Sequence, residues 1–272
     1  MKQGEITVKQ ALYEAPGPKT RRITAVVTFI SLVLLLLLLF ITIKRFEENG
    51  QLDGKYWSFF LKSTTWIFLG KGLAGTLVAS ILGGAMAFAG GFLMMLGRIG
   101  RFRIIRVIST ALIEFTRGVP TLLFIYFFFL IAPQFGIKLP ILLKIAVPIA
   151  ISASGVVAET LRGGVNAVPR GQREAALSLG MTESKVFYKI IFPQAMRYVI
   201  PALITELVIV VKDSTFAYVV NYPDLMQNAK ILISNYDAML QVYLVVAVIY
   251  ILINFVLNKI SEKIAERRAQ LK

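Results

Sequence analysis

Uninterrupted apolar runs approaching bilayer-spanning length constrain this chain more than any other feature. The first lies within 23–43, and its centre, Leu32 to Phe40, is almost pure leucine. A helix crosses the hydrocarbon core with about 20 apolar residues. Inside lipid a segment must satisfy its own backbone groups, which leaves helices or closed barrels. Barrel strands of about 10 alternating residues are absent. The mean hydropathy of +0.71 and the 57% hydrophobic share are too high for an ordinary soluble domain. The fold class is therefore an all-α polytopic membrane protein with about six transmembrane helices.

The runs divide the chain into a cytoplasmic N-terminal tail (1–22), an accessory helix (23–43) and an external or interfacial segment (44–71). A transmembrane core (72–260) and a cytoplasmic tail (261–272) follow. Within the core, spans are expected near 72–96, 104–132, 141–159, 201–220 and 239–259, with a long polar inner loop at about 161–199. Basic residues set the orientation, because cytoplasmic loops carry the excess of Lys and Arg. Lys19, Arg21 and Arg22 precede the first span, Arg98, Arg101, Arg103 and Arg106 form a compact loop, and Lys263, Arg267, Arg268 and Lys272 close the chain. Both termini are thus placed inside. Lys44, Arg45, Lys55, Lys62 and Lys71 run against the rule in the first outer segment. There Tyr56, Trp57, Phe59, Phe60, Trp66 and Phe68 suit a stretch lying near the headgroups. The net charge of +15 is accounted for by this topology and does not imply nucleic acid.

The chain contains neither cysteine nor histidine, which removes disulfides, thiol catalysis, the commonest metal ligand and the commonest general base. No metal site is expected. Gly70-Lys71-Gly72 lacks the spacing and hydroxyl of a phosphate-binding loop, so the chain has no nucleotide motif of its own.

Gly75, Ala79, Gly83, Ala87 and Gly91 recur every four residues, which places them on one helical stripe. Small residues let a neighbouring backbone approach closely. A fixed seam and a sliding surface are both compatible with the pattern. Charges within spans normally pair or face a cavity. Glu114 and Arg117 are three apart and share a helix face, whereas Glu206 and Lys212 are six apart and seek partners elsewhere. Arg117, Gly118, Pro120, Glu206, Lys212, Asp213 and Ser214 are the candidate substrate path. Pro120 is positioned to break the third span and expose backbone at membrane depth, which is tolerated where it lines a cavity. Tyr243, Tyr250, Asn254 and Asn258 lie close to one face of the last span, suited to interhelical hydrogen bonds.

The inner loop carries the strongest motif. Glu174-Ala175-Ala176 favours helix, Gly180 permits a left-handed stop, Thr182 can cap a second helix, and Pro193 is expected to end it. Leu177, Leu179, Val186, Phe187, Ile190 and Phe192 supply more apolar surface than a water-exposed loop needs. Directly upstream, Glu159, Arg162, Gly163, Gly164, Val168, Pro169, Gly171 and Gln172 read E-x-x-R-G-G…V-P-x-G-Q. With Arg117-Gly118-Val119-Pro120 and Lys212-Asp213-Ser214 in order, the chain from about Trp66 to Lys259 resembles the polar-amino-acid branch of ATP-binding-cassette (ABC) importer permeases. Leu12 to Lys19 and the extra first span further resemble a permease subunit of glutamate importers. Phe192 and Ser214-Thr215-Phe216 depart from the usual residues of that branch.

The resemblance implies a non-enzymatic permease of the bacterial cell membrane. Glu174, Ala175, Ala176, Gly180, Ile190 and Pro193 would couple it to a separate ATPase, supported by Glu159, Arg162, Gly163, Gly164 and Gln172. No cofactor would bind this chain, since ATP and Mg belong to the ATPase. Its implied partners are two ATPase subunits, a second and distinct permease subunit, an extracytoplasmic solute-binding protein and membrane lipid. The cargo would be glutamate or another polar amino acid (glutamine, aspartate, arginine, histidine). A secondary transporter driven by an ion gradient, with Glu206, Lys212 and Asp213 as coupling groups, is the alternative, although no internal repeat supports it.

Overall fold

The computed structural model describes residues 17–269. It is helical throughout, with no strand among the described residues. The chain divides into two compact units, at 1–56 and 57–272. Leu12 to Pro16 and the last three residues, with Lys272, lie outside the described part.

In the first unit, helix α1 (Pro18–Glu48) is far longer than the apolar run that nucleates it. Pro18 occupies its first turn, where a missing N–H costs nothing. Thr42 returns its hydroxyl to the Leu38 carbonyl, so its polar atom is satisfied within the helix.

The second unit begins in a 3₁₀ turn (Gly54–Leu61 spans the division) and continues into α2 (Ser63–Ile99). The second span thus starts at Ser63 instead of near Gly72. Thr65 and Trp66 fasten that start by donating to the Phe59 and Phe60 carbonyls, each at 2.7 Å. Phe59 and Phe60 are buried in protein, and Phe59 stacks on Tyr236 with ring centroids 4.2 Å apart. Only Trp57 and Trp66 of this aromatic group keep the exposed setting expected for headgroup contact.

Helices α3 (Arg103–Gly118) and α4 (Thr121–Tyr126) form the third span, and they meet at 98° across Val119-Pro120. A proline fixes φ, removes a donor and pushes its predecessor out of helical geometry, which explains the break. A π turn (Phe127–Ile131) and a 3₁₀ turn (Ala132–Phe135) complete the second limb. Helix α5 (Ile141–Ala167) is the central span. The inner loop holds α6 (Arg170–Ser178) and α7 (Glu183–Val186). Then come α8 (Phe192–Asp213), a 3₁₀ turn (Ser214–Val220), α9 (Leu225–Tyr236) and α10 (Met239–Ala269). Among the described residues, five helices are long and apolar enough to cross a membrane, or six if the bent pair counts as one span.

One expectation fails at Pro193. The helix does not end there: Glu183 to Val220 is continuous as a candidate span, with Pro193 in the first turn of α8. A π turn, Phe187–Ile191, precedes it, and the Phe192 N–H reaches back five residues to the Phe187 carbonyl. The widened turn accommodates the proline ring and missing donor that would otherwise break the ladder.

The main core lies where α2 packs along α5. The small-residue stripe sits there: Ala79, Gly83, Ala87 and Gly91 are buried. A Cβ on Gly91 would stand 2.7 Å from the Ser154 carbonyl oxygen, so the two backbones touch. Gly75 faces a different neighbour, the Pro223 carbonyl. Around it Tyr222 donates to the Gly75 carbonyl (3.1 Å), the Leu225 N–H to Thr76 (3.0 Å) and the Asn228 amide to the Phe68 carbonyl (2.7 Å). These bonds fix the loop before α9 against α2.

Candidate functional site: the inner loop and the polar path

The inner loop is a helix–turn–helix built around Gly180. Its φ is +77°, in the left-handed region where glycine carries no side-chain penalty. The Gly180 N–H bonds the Leu177 carbonyl and the Met181 N–H bonds the Ala176 carbonyl, the paired closure of a Schellman motif. Thr182 stands at the start of α7 in extended geometry without a side-chain cap bond. An Arg173–Glu183 ion pair bridges the two helices.

One side of this unit is anchored and the other is open. Val168, Ala176, Val186, Ile191 and Ala195 form a small core of their own, with Leu177 and Ile190 packed against it. Glu174, Ala175 and Pro193 are exposed. Leu179, beside the turn, is 83% exposed, and Tyr188 also faces outward. The apolar residues of the loop are therefore sorted: Leu177, Val186 and Ile190 hold it to the protein, while Leu179 stands free.

The upstream motif fixes the base of the loop to three other helices. Glu159 on α5 accepts from Arg98 at the end of α2, and from Arg162 at 2.8 Å. Arg98 also lies 3.9 Å from Glu114, which lies 3.7 Å from Arg117. A chain of charges thus runs from Arg162, at the entry to the loop, to Arg117 beside the break in the third span. Gly163 and Gly164 have opposite surroundings. Nothing lies within 4 Å of a Cβ on Gly163, whereas one on Gly164 would meet Val199 Cγ1 at 2.3 Å and the Ala195 carbonyl at 3.0 Å. Gly164 is where α5 and α8, the two arms of the loop, cross in contact. Gln172 accepts from Gln194 at 3.2 Å across the same base.

The path candidates separate into three places. At the break, Gly118 and Pro120 are exposed and Arg117 is engaged by Glu114. Beyond it, Thr121 at the start of α4 bonds Asp213 (2.7 Å) and Ser152 of α5 (2.8 Å), joining three helices through one hydroxyl. Thr121 and Ser152 escaped the sequence reading. The signal for Thr121 was its place after the proline, and Ser152 had none. Glu206 sits two turns before Asp213 on the same face of α8, lining a cavity of about 250 Å³ with Gly84, Phe88, Val157 and Leu203. Lys212 points away and is exposed. Ser214 is buried, but its hydroxyl returns to the nearby Val211 carbonyl at the end of α8. The structure brings Asp213 to Thr121 and does not bring Arg117 to Lys212. Among the described residues no group of His, Cys, Asp and Glu is arranged to hold a metal.

Residues 87–270 match the family model described as the binding-protein-dependent transport system inner membrane component. The chain is 35% identical over 211 residues to the glutamate transport system permease protein GluD of Corynebacterium glutamicum, covering 76% of this chain and 77% of that one. It is 35% identical over 183 residues to the probable glutamine ABC transporter permease protein GlnM of Bacillus subtilis (67% and 85% covered). Among solved structures, an amino acid ABC transporter crystallised with histidines superposes with a TM-score of 0.71 at 29% identity, covering 77% of this chain and 98% of that one. The inward-facing MetNI methionine ABC transporter gives 0.59 at 19% identity, a likeness of fold alone.

Proposed function

Because this chain belongs to the binding-protein-dependent transport system inner membrane component family, we propose that it is the permease subunit of an amino acid ABC importer in a bacterial cell membrane, with glutamate as its cargo. The relatives named for glutamate and glutamine transport support the cargo class, and family membership favours this reading over an ion-gradient transporter. The observation that carries the mechanism is the sorted inner loop. Its inward face is packed, and its outward face leaves Glu174, Ala175 and Leu179 exposed, as a surface for a separate chain requires.

In this reading an ATPase pair docks on that face and supplies ATP and Mg chemistry, while this chain remains non-catalytic. Closure of the ATPases moves the helix–turn–helix as one body, because the Schellman turn and the small core make it stiff. The arms α5 and α8, in contact at Gly164, carry the motion toward the break at Pro120. The assembly would include a second, distinct permease subunit and an extracytoplasmic binding protein. Co-purification with the candidate ATPase, followed by binding-protein-stimulated hydrolysis and glutamate uptake in proteoliposomes, tests the proposal. Full-rate uptake by this chain without an ATPase would refute it.

A further inference from the structure

The third span carries a polar stripe that the inner loop does not use. Arg103, Arg106, Thr110, Glu114 and Arg117 follow one another at spacings of 3, 4, 4 and 3, which places them on one face of α3. The rest of the helix is sorted differently. Ser109, Ile113 and Thr116 are buried against the protein. Ile104, Ile108, Leu112 and Phe115 are exposed and apolar, as contact with lipid requires. The stripe is not packed away: its four charged members are exposed and Thr110 is half-buried.

Lipid is a poor cover for this stripe. Arg103 and Arg106 stand at the inner end, where a long side chain reaches the headgroups. Glu114 and Arg117 lie about 16 and 21 Å beyond Arg103, at a rise of 1.5 Å per residue. At that depth a charge normally pairs or faces a water-filled cavity. Glu114 and Arg117 approach each other at 3.7 Å, yet their side chains remain 59% and 43% exposed. A neighbouring subunit is the alternative cover, but charged residues are depleted from the cores of such contacts. The stripe also runs into the break of the span. There Gly118 and Pro120 are exposed, and a Cβ on Gly118 would meet nothing within 4 Å. Broken backbone at membrane depth is tolerated where it lines a water-filled cavity. The charges favour one sign of solute. Glu114 is answered by Arg117 and by Arg98 at 3.9 Å. Arg106 donates to the Gly100 carbonyl at 2.8 Å, which leaves its charge unbalanced. With Arg103 beside it, the inner half of the stripe is positive, and low-dielectric walls focus such a field.

We propose that the α3 stripe is a water-facing groove from the Pro120 break to the cytoplasm, and that its arginines favour the passage of an anionic amino acid over a neutral one. This rests on the reading of the chain as an amino acid permease. It deepens that reading by placing part of the preference for glutamate over glutamine in this chain, at the stage of release into the cytoplasm.

The chain has no cysteine, so one introduced thiol reports its own surroundings. Thr110→Cys on the stripe and Leu112→Cys on the apolar face are compared in the permease–ATPase complex in nanodiscs, with and without ATP. The probes are an anionic and a cationic methanethiosulfonate, which react with thiols in water, and the readout is the mass of this chain. Thr110→Cys should react about tenfold faster than Leu112→Cys in at least one of the two conditions. It should also favour the anionic reagent, once each rate is divided by that with 2-mercaptoethanol. Adding Arg103→Gln or Arg106→Gln should remove at least half of that preference. Equal reactivity of the two positions in both conditions overturns the proposal and assigns the stripe to a contact with the second permease subunit. Fast reaction without preference for the anionic reagent overturns the charge selection. Gly118→Cys, where the added side chain meets open space, repeats the measurement at the far end of the stripe if Thr110→Cys does not assemble. Wild-type complex that takes up no amino acid with its binding protein present refutes the proposed function itself, a separate result.

Discussion

Gly163 and Gly164 are neighbours in one motif, and the structure predicts opposite outcomes for the same substitution. Gly163→Ala adds a methyl in open space on an exposed helix face and relieves the entropy cost of glycine, a stabilisation of about 0.5–1 kcal/mol. Gly164→Ala places the methyl 2.3 Å from Val199 Cγ1, where carbon atoms prefer about 3.5–4.0 Å, so more than about 1 Å must be recovered. Val199 is stiff at χ1 within a helix, and the second contact, at 3.0 Å, is the Ala195 backbone. Rotation of a side chain cannot relieve both, so α5 and α8 must part. Overpacking of this kind costs about 1–3 kcal/mol, which exceeds the propensity gain at its upper end. The two variants should therefore differ by about 2 kcal/mol, seen as a lower unfolding temperature for Gly164→Ala in detergent. Because the parted helices are the arms of the inner loop, uptake in proteoliposomes should fall with them, while Gly163→Ala transports as wild type. Equal unfolding temperatures and equal uptake in the two variants would show that the α5–α8 crossing is not the fixed joint assigned to it.

Three further predictions follow from other parts of the structure. Gly180→Val forces a β-branched residue to a φ of +77°, at a cost above the roughly 1–2 kcal/mol of an ordinary residue there. ATP hydrolysis should persist while uptake is lost, and wild-type uptake would remove the mechanical role of the turn. Glu159→Gln leaves Arg98 and Arg162 without their shared carboxylate, which is only 20% exposed on the Glu159 side, and should lower stability by about 1–3 kcal/mol. Glu114→Gln, at a side chain 59% exposed, should cost under about 1 kcal/mol, and comparable losses in thermal unfolding would contradict the chain of charges as drawn. In the loop before α9, burial pushes the Asp224 carboxyl up to about 7, against some lowering by backbone hydrogen bonds. A raised carboxyl binds its proton more tightly folded than unfolded, so its contribution is full below the ordinary range near 3.8 and is lost as pH rises through about 7. Asp224→Asn should flatten that decline between pH 4 and 8, and an unchanged pH profile of thermal unfolding would refute the assignment.

What the sequence made legible is what depends on local chemistry. The spans follow from apolar runs, the break from a proline, and the left-handed turn from a glycine whose neighbours are good helix formers. Pro193 shows where local reading stops. A proline usually ends a helix when its i−4 partner is lost, but the π turn at Phe187–Ile191 absorbs the defect and lets the arm continue into the membrane. The polar path was legible only as a set of charges. Arg117 and Lys212 are the cations of that set, yet one is held by Glu114 and the other faces outward. The groups that converge are Thr121, Ser152 and Asp213, drawn from three helices by the Thr121 hydroxyl, and of the three Ser152 carries no local signal. Glycines behave the same way: Gly163 and Gly164 are alike as letters, and only the approach of Val199, 35 residues further along, separates a replaceable residue from a joint. A motif read along the chain thus marks where α5 meets the inner loop, while which of its members bears the contact is decided by a helix that the motif does not contain.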